Sequence, residues 1–217
     1  MDQGDGRFLR KNLKVPYLQM QLPPWNPAAF LAEARAVADQ FVDHRSNDSE
    51  GWRSLCLHGI DQHKTLSFDR YGYSSETAAP YRWTQASESC PLTSAWLKGL
   101  IDHGFYEEIY RARFMWLKPK GFIRFHRDRP EDQSWLGPLN IALNMPEGCR
   151  WLFKKWGPLP IRAGSAFSID VSQEHGVWNE SPEDRIHIIV HGLYGPAYHA
   201  EIANSAARVL RDMNVQY

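Results

Sequence analysis

The stretch GSAFSIDVSQEHGVWNESPEDRIHIIVHG, residues 164–192, contains two short runs of strand-forming residues. AFSID and RIHIIV are rich in β-branched and aromatic side chains. Gly, Asp, Ser and Pro, which make turns, bound them. In RIHIIVH, Arg185, His187 and His191 lie two and four residues apart, so a strand places them on one face. Working upstream, CRWLFKKW (149–156), LNIALNMP (139–146), FIRFH (122–126) and EIYRARFMWLKPKG (108–121) have the same character. The last of these ends in a Lys-Pro-Lys-Gly turn. Regularly spaced short strands predict an antiparallel sandwich or barrel over 105–196.

Further upstream the period changes. In LPPWNPAAFLAEARAVADQFVDH, Asn26 is an N-cap and Pro27 the first helical residue. Phe30, Leu31, Ala34, Val37, Ala38 and Phe41 then recur at helical spacing, which predicts a helix running to about Val42. SCPLTSAWLKGLIDHG repeats the device over Pro91–His103, with Gly104 past the end. A last helix is expected from Tyr198 to Met213. The chain thus reads as one domain. Residues 1–104 form a helix-containing part, 105–196 the β core, and 197–217 the closing helix.

Composition limits the function classes. With 217 residues the chain is long enough for one sizeable core. Lys plus Arg and Asp plus Glu are both 25, so there is no excess of basic charge and no nucleic-acid partner is expected. Cys56, Cys90 and Cys149 are scattered, with no CxxC pair, and read as reduced thiols of a cytoplasmic protein. The N-terminal MDQGDGRFLRKNLKV has no apolar secretory core, and no apolar run is long enough to span a bilayer. Nine Trp and nine Tyr are many for this length, and aromatics line small-molecule pockets as well as cores.

FIRFHRDRPE, residues 122–131, adds His126 and Asp128, two apart and therefore on one face of a strand. His175 follows the strand AFSID. Two imidazoles and a carboxylate form the facial triad of non-haem iron(II) oxygenases, which leaves coordination positions open. Arg185, ten residues past His175 at the start of a strand, is suited to clamp a carboxylate with two parallel hydrogen bonds. The plainer alternatives are a surface His-x-Asp pair, a loop histidine, and a surface ion pair from Arg185 to Glu183 or Asp184.

On these residues, the segment 111–195 resembles the aspartyl/asparaginyl β-hydroxylase-like family of Fe(II)- and 2-oxoglutarate-dependent oxygenases. LKPKGFIRFHRD, LNIALNMPEGC and GSAFSIDVSQEHGVWNESPEDRIHIIV carry the resemblance, and EHGVWNES followed by an arginine is its most specific part. The resemblance implies a mainly β fold with flanking helices and a double-stranded β-helix (jelly-roll, cupin-like) core. It implies Fe(II) on His126, Asp128 and His175, with 2-oxoglutarate as cosubstrate, its distal carboxylate on Arg185, and O2 as oxidant. The implied reaction is hydroxylation or another oxidation of an amino-acid-like or peptidyl substrate. No catalytic group beyond the metal centre is expected. Relatives carry an Arg-x-His where this chain has Pro138 and Asn140, so Asn140 and His187 are the expected further cosubstrate contacts. His191 is expected to be a core histidine bonded to backbone. Arg124, Trp83 and His58 are candidate substrate contacts, as is Arg53. His58 and His63 are read as part of a loop. The competing function classes are a jelly-roll metal-binding module and a cupin-type metalloenzyme that does not use 2-oxoglutarate.

Overall fold

The period of two in RIHIIVH organises the computed structural model, which describes residues 15–45, 47, 49–130 and 136–214. Strand β11 (Arg185–Tyr194) runs antiparallel to β5 (Tyr106–His126), with Arg185 opposite Leu117, His187 opposite Met115, Ile189 opposite Arg113 and His191 opposite Arg111. The alternate residues Ile186, Ile188 and Val190, with Ala112 and Phe114 on β5, point the other way and are fully buried. They join helices α1 (Pro27–Ala36) and α3 (Pro91–Asp102) in one apolar cluster. A second cluster, including Met115, Leu117, Trp151, Phe167 and Val177, lies on the inner face.

The fold is mainly β, with a curled antiparallel sheet of 11 strands among the described residues and helices packed outside it. β1 (Tyr17–Met20), β9 (Ala166–Ile169), β6 (Leu139–Ala142), β11 and the first half of β5 form one wall. The second half of β5 continues into β10 (His175–Asn179), β7 (Cys149–Phe153) and β8 (Gly157–Pro158). The walls face each other: Trp151 of β7 meets Phe167 of β9 edge-on, with ring centres 5.2 Å apart. This is the double-stranded β-helix. A further strand, β3 (Ser49–Gly59), pairs along the free edge of β5, with β2 (Val42–Asp43) and β4 (Arg82–Trp83) on its far side. The short helix α2 (Gln85–Glu88) leads into α3, and α4 (Pro196–Asn214) closes the chain over β1.

Three expectations are corrected. Lys118–Gly121 does not reverse the chain; β5 passes through it as one 21-residue strand. Lys120 adopts φ +62° and Gly51 of β3 adopts φ +68° in the facing segment, so the ladder bulges there and bends. This bend moves β5 from pairing with β11 to pairing with β10. The first helix ends at Ala36 rather than Val42, because Val37 leaves helical geometry and a 3-10 turn follows. Phe41 is thereby extended and wedges against Phe114 and Trp116. Finally, His58 is not in a loop. It lies near the end of β3, and the N-terminal part supplies β1 and β3 to the sheet in addition to its bracing helices. Residues 1–14, read for a secretory signal, and Glu131 lie outside the described residues. No described helix is long and apolar enough to cross a membrane.

Candidate metal centre

The end of β5 and the start of β10 pair with His126 directly opposite His175, and the ring centres lie 4.5 Å apart. The loop leaving β5 is tied back by the Asp128 amide, which donates to the Val171 carbonyl (3.0 Å). The Asp128 carboxylate thereby sits between the imidazoles. His126 Nε2 is 3.8 Å from its Oδ1, and His175 Nε2 is 3.9 Å from Oδ2. One ligand atom from each residue lies within 4.8 Å of the others. Facial donors about a common ion with bonds of about 2.0–2.2 Å are roughly 3 Å apart, so the three atoms need to close by about 1–2 Å to share one ion. Each imidazole is fixed through its other nitrogen: Nδ1 bonds the Arg124 carbonyl in His126 (2.8 Å) and the Gln173 carbonyl in His175 (2.9 Å). That arrangement sets the tautomer and presents Nε2 for ligation. Burial, then the neighbouring His126, lowers the His175 pKa to about 4, so its ring is neutral near pH 7. Burial alone would raise the Asp128 pKa, but His175, Arg45 and His126 together hold it below the usual carboxylate value. A neutral His175 and an ionised Asp128 are the protonation states in which these two groups ligate a divalent ion.

Behind the triad lies a cavity of about 610 Å3. Arg185 lines it and is fully buried. Its Nε and Nη2 have no hydrogen-bond partner, and no carboxylate lies within ion-pair distance among the described residues. Its guanidinium carbon sits 5.1 Å above the Trp151 ring, and burial lowers its pKa to about 10. The surface ion pair to Glu183 or Asp184 is not formed. His187 is also buried in the cavity with both ring nitrogens unpartnered, 5.8 Å from Trp151 between ring centres. Asn140 lines the same space; its amide donates to the Pro138 carbonyl (3.0 Å) and its Oδ1 has no partner. An unpaired polar group buried in a core is costly, so this density of them marks a place where ligand atoms complete the bonding.

His191 lines the cavity with Nδ1 unpartnered and is not the backbone-bonded core histidine expected above. Arg124, Trp83 and His58 lie outside the cavity. Arg124 alternates outward from Ile123 and is exposed beside the Phe122 ring. His58 bonds the Tyr110 carbonyl and packs edge-on against Trp83, which also lies beside Lys98. Arg53 clips β3 to the preceding turn through the Ala38 and Phe41 carbonyls. The sequence reading missed Arg111, Arg113 and Trp151, all cavity-lining. Two arginines at alternate positions of the apolar run YRARFMW were the available signal, because a strand aims both at the same face.

The family model described as "Aspartyl/Asparaginyl beta-hydroxylase" matches residues 28–193. No curated protein matches the chain significantly. Among solved structures, a prolyl hydroxylase in complex with a hypoxia inducible factor oxygen degradation domain peptide from Trichoplax adhaerens superposes with TM-score 0.50 at 12% identity, covering 92% of this chain and 90% of its own. A Pseudomonas putida prolyl-4-hydroxylase gives TM-score 0.47 at 16% identity, covering 88% and 97%. A 2OG-Fe(II) oxygenase family protein from Burkholderia pseudomallei gives 0.47 at 15%, covering 88% and 91%.

Proposed function

The chain belongs to the aspartyl/asparaginyl β-hydroxylase family of Fe(II)- and 2-oxoglutarate-dependent oxygenases, and on that premise we propose the roles of its cavity residues. His126, Asp128 and His175 hold Fe(II) in a facial triad. This donor set of two nitrogens and one carboxylate oxygen suits iron(II) and leaves positions free for cosubstrate. Arg185 receives the distal carboxylate of 2-oxoglutarate. Its burial beside the triad, with two nitrogens unsatisfied and no acid in ion-pair distance among the described residues, is the observation that carries the reading. His187 is neutral there, because burial and the fields of Arg185 and Arg113 push its pKa well below the ordinary value. It donates one hydrogen bond to the cosubstrate where relatives use the Arg-x-His pair, and Asn140 flanks it.

Loaded with iron, 2-oxoglutarate and O2, the centre supplies oxidative decarboxylation to succinate and CO2 and puts one oxygen atom on a substrate carbon. The protein's part is to bind, orient and keep water out. Trp151 forms the apolar floor that holds Arg185 and faces His175, 6.4 Å between ring centres. The substrate is an amino-acid-like molecule or a peptide. Three buried, unpaired cysteines fit a reducing compartment such as the cytoplasm.

The absence of the Arg-x-His pair at Pro138 and Asn140 favours a second reading, a metalloenzyme that does not use 2-oxoglutarate. Incubation with Fe(II) and 2-oxoglutarate under air separates the two. The first reading expects succinate release that disappears in His175→Ala. Iron binding without any succinate, in the presence of the twenty amino acids, would support the second.

A further inference from the structure

We propose that the substrate is a small molecule with a free carboxylate, and that Arg113 holds it at the end of the cavity away from Arg185. This rests on the cosubstrate assignment above and follows from the charge that assignment leaves over. The cavity contains two deeply buried guanidinium groups with no carboxylate in ion-pair distance among the described residues, Arg185 and Arg113. An uncompensated buried cation is unfavourable, so each calls for an anion. 2-Oxoglutarate gives one carboxylate to Arg185 and its other end to the metal, which leaves Arg113 unmatched.

The other arginines lining the cavity, Arg45, Arg111 and Arg129, each have a partner. Arg45 donates to Asp128 Oδ1 at 3.1 Å. Arg111 lies 3.8 Å from Glu76, which also accepts from the Tyr81 hydroxyl. His44 and His191 are neutral, since burial and the nearby arginines depress both pKa values. Asp69 is exposed at the rim. Arg113 instead donates Nη1 to the Thr65 carbonyl and keeps Nε unpartnered. Arg113 is therefore the buried guanidinium at this end with no acid in ion-pair distance among the described residues, and one carboxylate matches its charge.

Arg113 and Arg185 do not share one ligand. Arg113 pairs with Ile189 and Arg185 starts that strand four residues earlier, so their backbone positions are about 13 Å apart at about 3.3 Å per residue. His187 stands between them. Arg185 leans on Trp151 of the opposite wall, whereas Arg113 turns toward Thr65 beside β3. Arg113 and the triad residues His126, Asp128 and His175 line the same cavity, so a small molecule whose carboxylate meets Arg113 lies in the space the triad faces.

The test is calorimetry on Mn(II)-loaded protein, first with 2-oxoglutarate. Each of the twenty L-amino acids and its carboxamide is then added with 2-oxoglutarate saturating. The expected result is that 2-oxoglutarate binds, that at least one free amino acid binds, and that its amide binds at least about tenfold more weakly. Arg113→Met should lose that preference with unchanged 2-oxoglutarate affinity, and Arg113→Lys, which keeps the charge, should recover part of it. Melting curves of both variants establish that they are folded. Failure of 2-oxoglutarate to bind the wild type overturns the cosubstrate reading and this proposal with it. If 2-oxoglutarate binds, three results overturn the proposal alone: equal binding of acids and amides, no amino acid binding at millimolar concentration, or loss of 2-oxoglutarate affinity in Arg113→Met.

Discussion

The two faces of β11 are almost equally buried and differ in what they do with burial. On the outer face, Ile186, Ile188 and Val190 pack against the helices and leave no polar atom behind. On the inner face, Arg185 and His187 are as deeply buried yet keep four nitrogens without partners. Burial of apolar surface stabilises at roughly 25 cal/mol per Å2, whereas an unsatisfied buried polar group opposes folding by about 1–3 kcal/mol. The outer face therefore supports the cost of the inner one. Where a strand alternates between the two kinds of residue, the polar side identifies the ligand side.

The sharpest break of this comparison is Ile188→Ala. Truncating a fully buried side chain between strand and helices should cost about 2–5 kcal/mol in urea unfolding, with ligand binding retained by the folded fraction. Stability equal to wild type would mean that the outer face does not carry the fold. On the other side, His175→Ala should lose most bound iron on elemental analysis while its melting temperature stays close to wild type. Iron content equal to wild type would exclude the triad. Asp128→Ala should lose less, because two imidazoles fixed by backbone carbonyls remain.

A smaller effect is graded by pH. Burial, then the charges of Arg113, Arg45 and Arg111, lowers the His44 pKa to about 2 from an ordinary 6.5. Between these values the unfolded chain binds a proton that the folded chain refuses. Stability is therefore intact above pH 6.5 and falls as pH drops through that window, by up to about 1.4 kcal/mol per pH unit for this residue. His44→Gln should flatten the slope of unfolding free energy between pH 6 and pH 4 by about that amount; an unchanged slope would show that His44 is protonated in the fold. The smallest effect is expected at Arg124, which lies outside the cavity. Arg124→Ala should change stability by less than about 0.5 kcal/mol and leave 2-oxoglutarate binding untouched.

How much of this was legible in the sequence follows the same division. Local periodicity made the strands from Cys149 onward readable, and with them the shared face of Arg185 and His187. His126 and Asp128 were readable as a pair, but not for the reason of a shared strand face: β5 ends at His126, and Asp128 sits in the following loop, brought beside the imidazoles by its amide bond to the Val171 carbonyl. Three features were not readable, each because a distant partner decides it. The bend at Lys118–Gly121 has the composition of a turn, and only pairing with both β11 and β10 makes it a bulge in one strand. The end of the first helix is set by the place Phe41 takes between Phe114 and Trp116. His58 looked free for ligand work until the Tyr110 carbonyl, 52 residues away, claimed its Nδ1. Arg113 showed the alternation but not the solitude; that no acid comes within ion-pair distance of it among the described residues is a property of the folded cavity.

The most direct test of the account is the paired measurement on Arg185→Met: anaerobic calorimetry of 2-oxoglutarate binding with Mn(II) in place of iron, and unfolding free energy of the same preparation. If the inner face is kept for ligand rather than for the fold, the variant binds metal as wild type does and is at least as stable, because the unpaired buried charge is gone. Its 2-oxoglutarate affinity falls a few hundredfold or more, as expected when about 3–5 kcal/mol of a buried charge pair is lost. Unchanged 2-oxoglutarate affinity, or lost stability with binding intact, would contradict it.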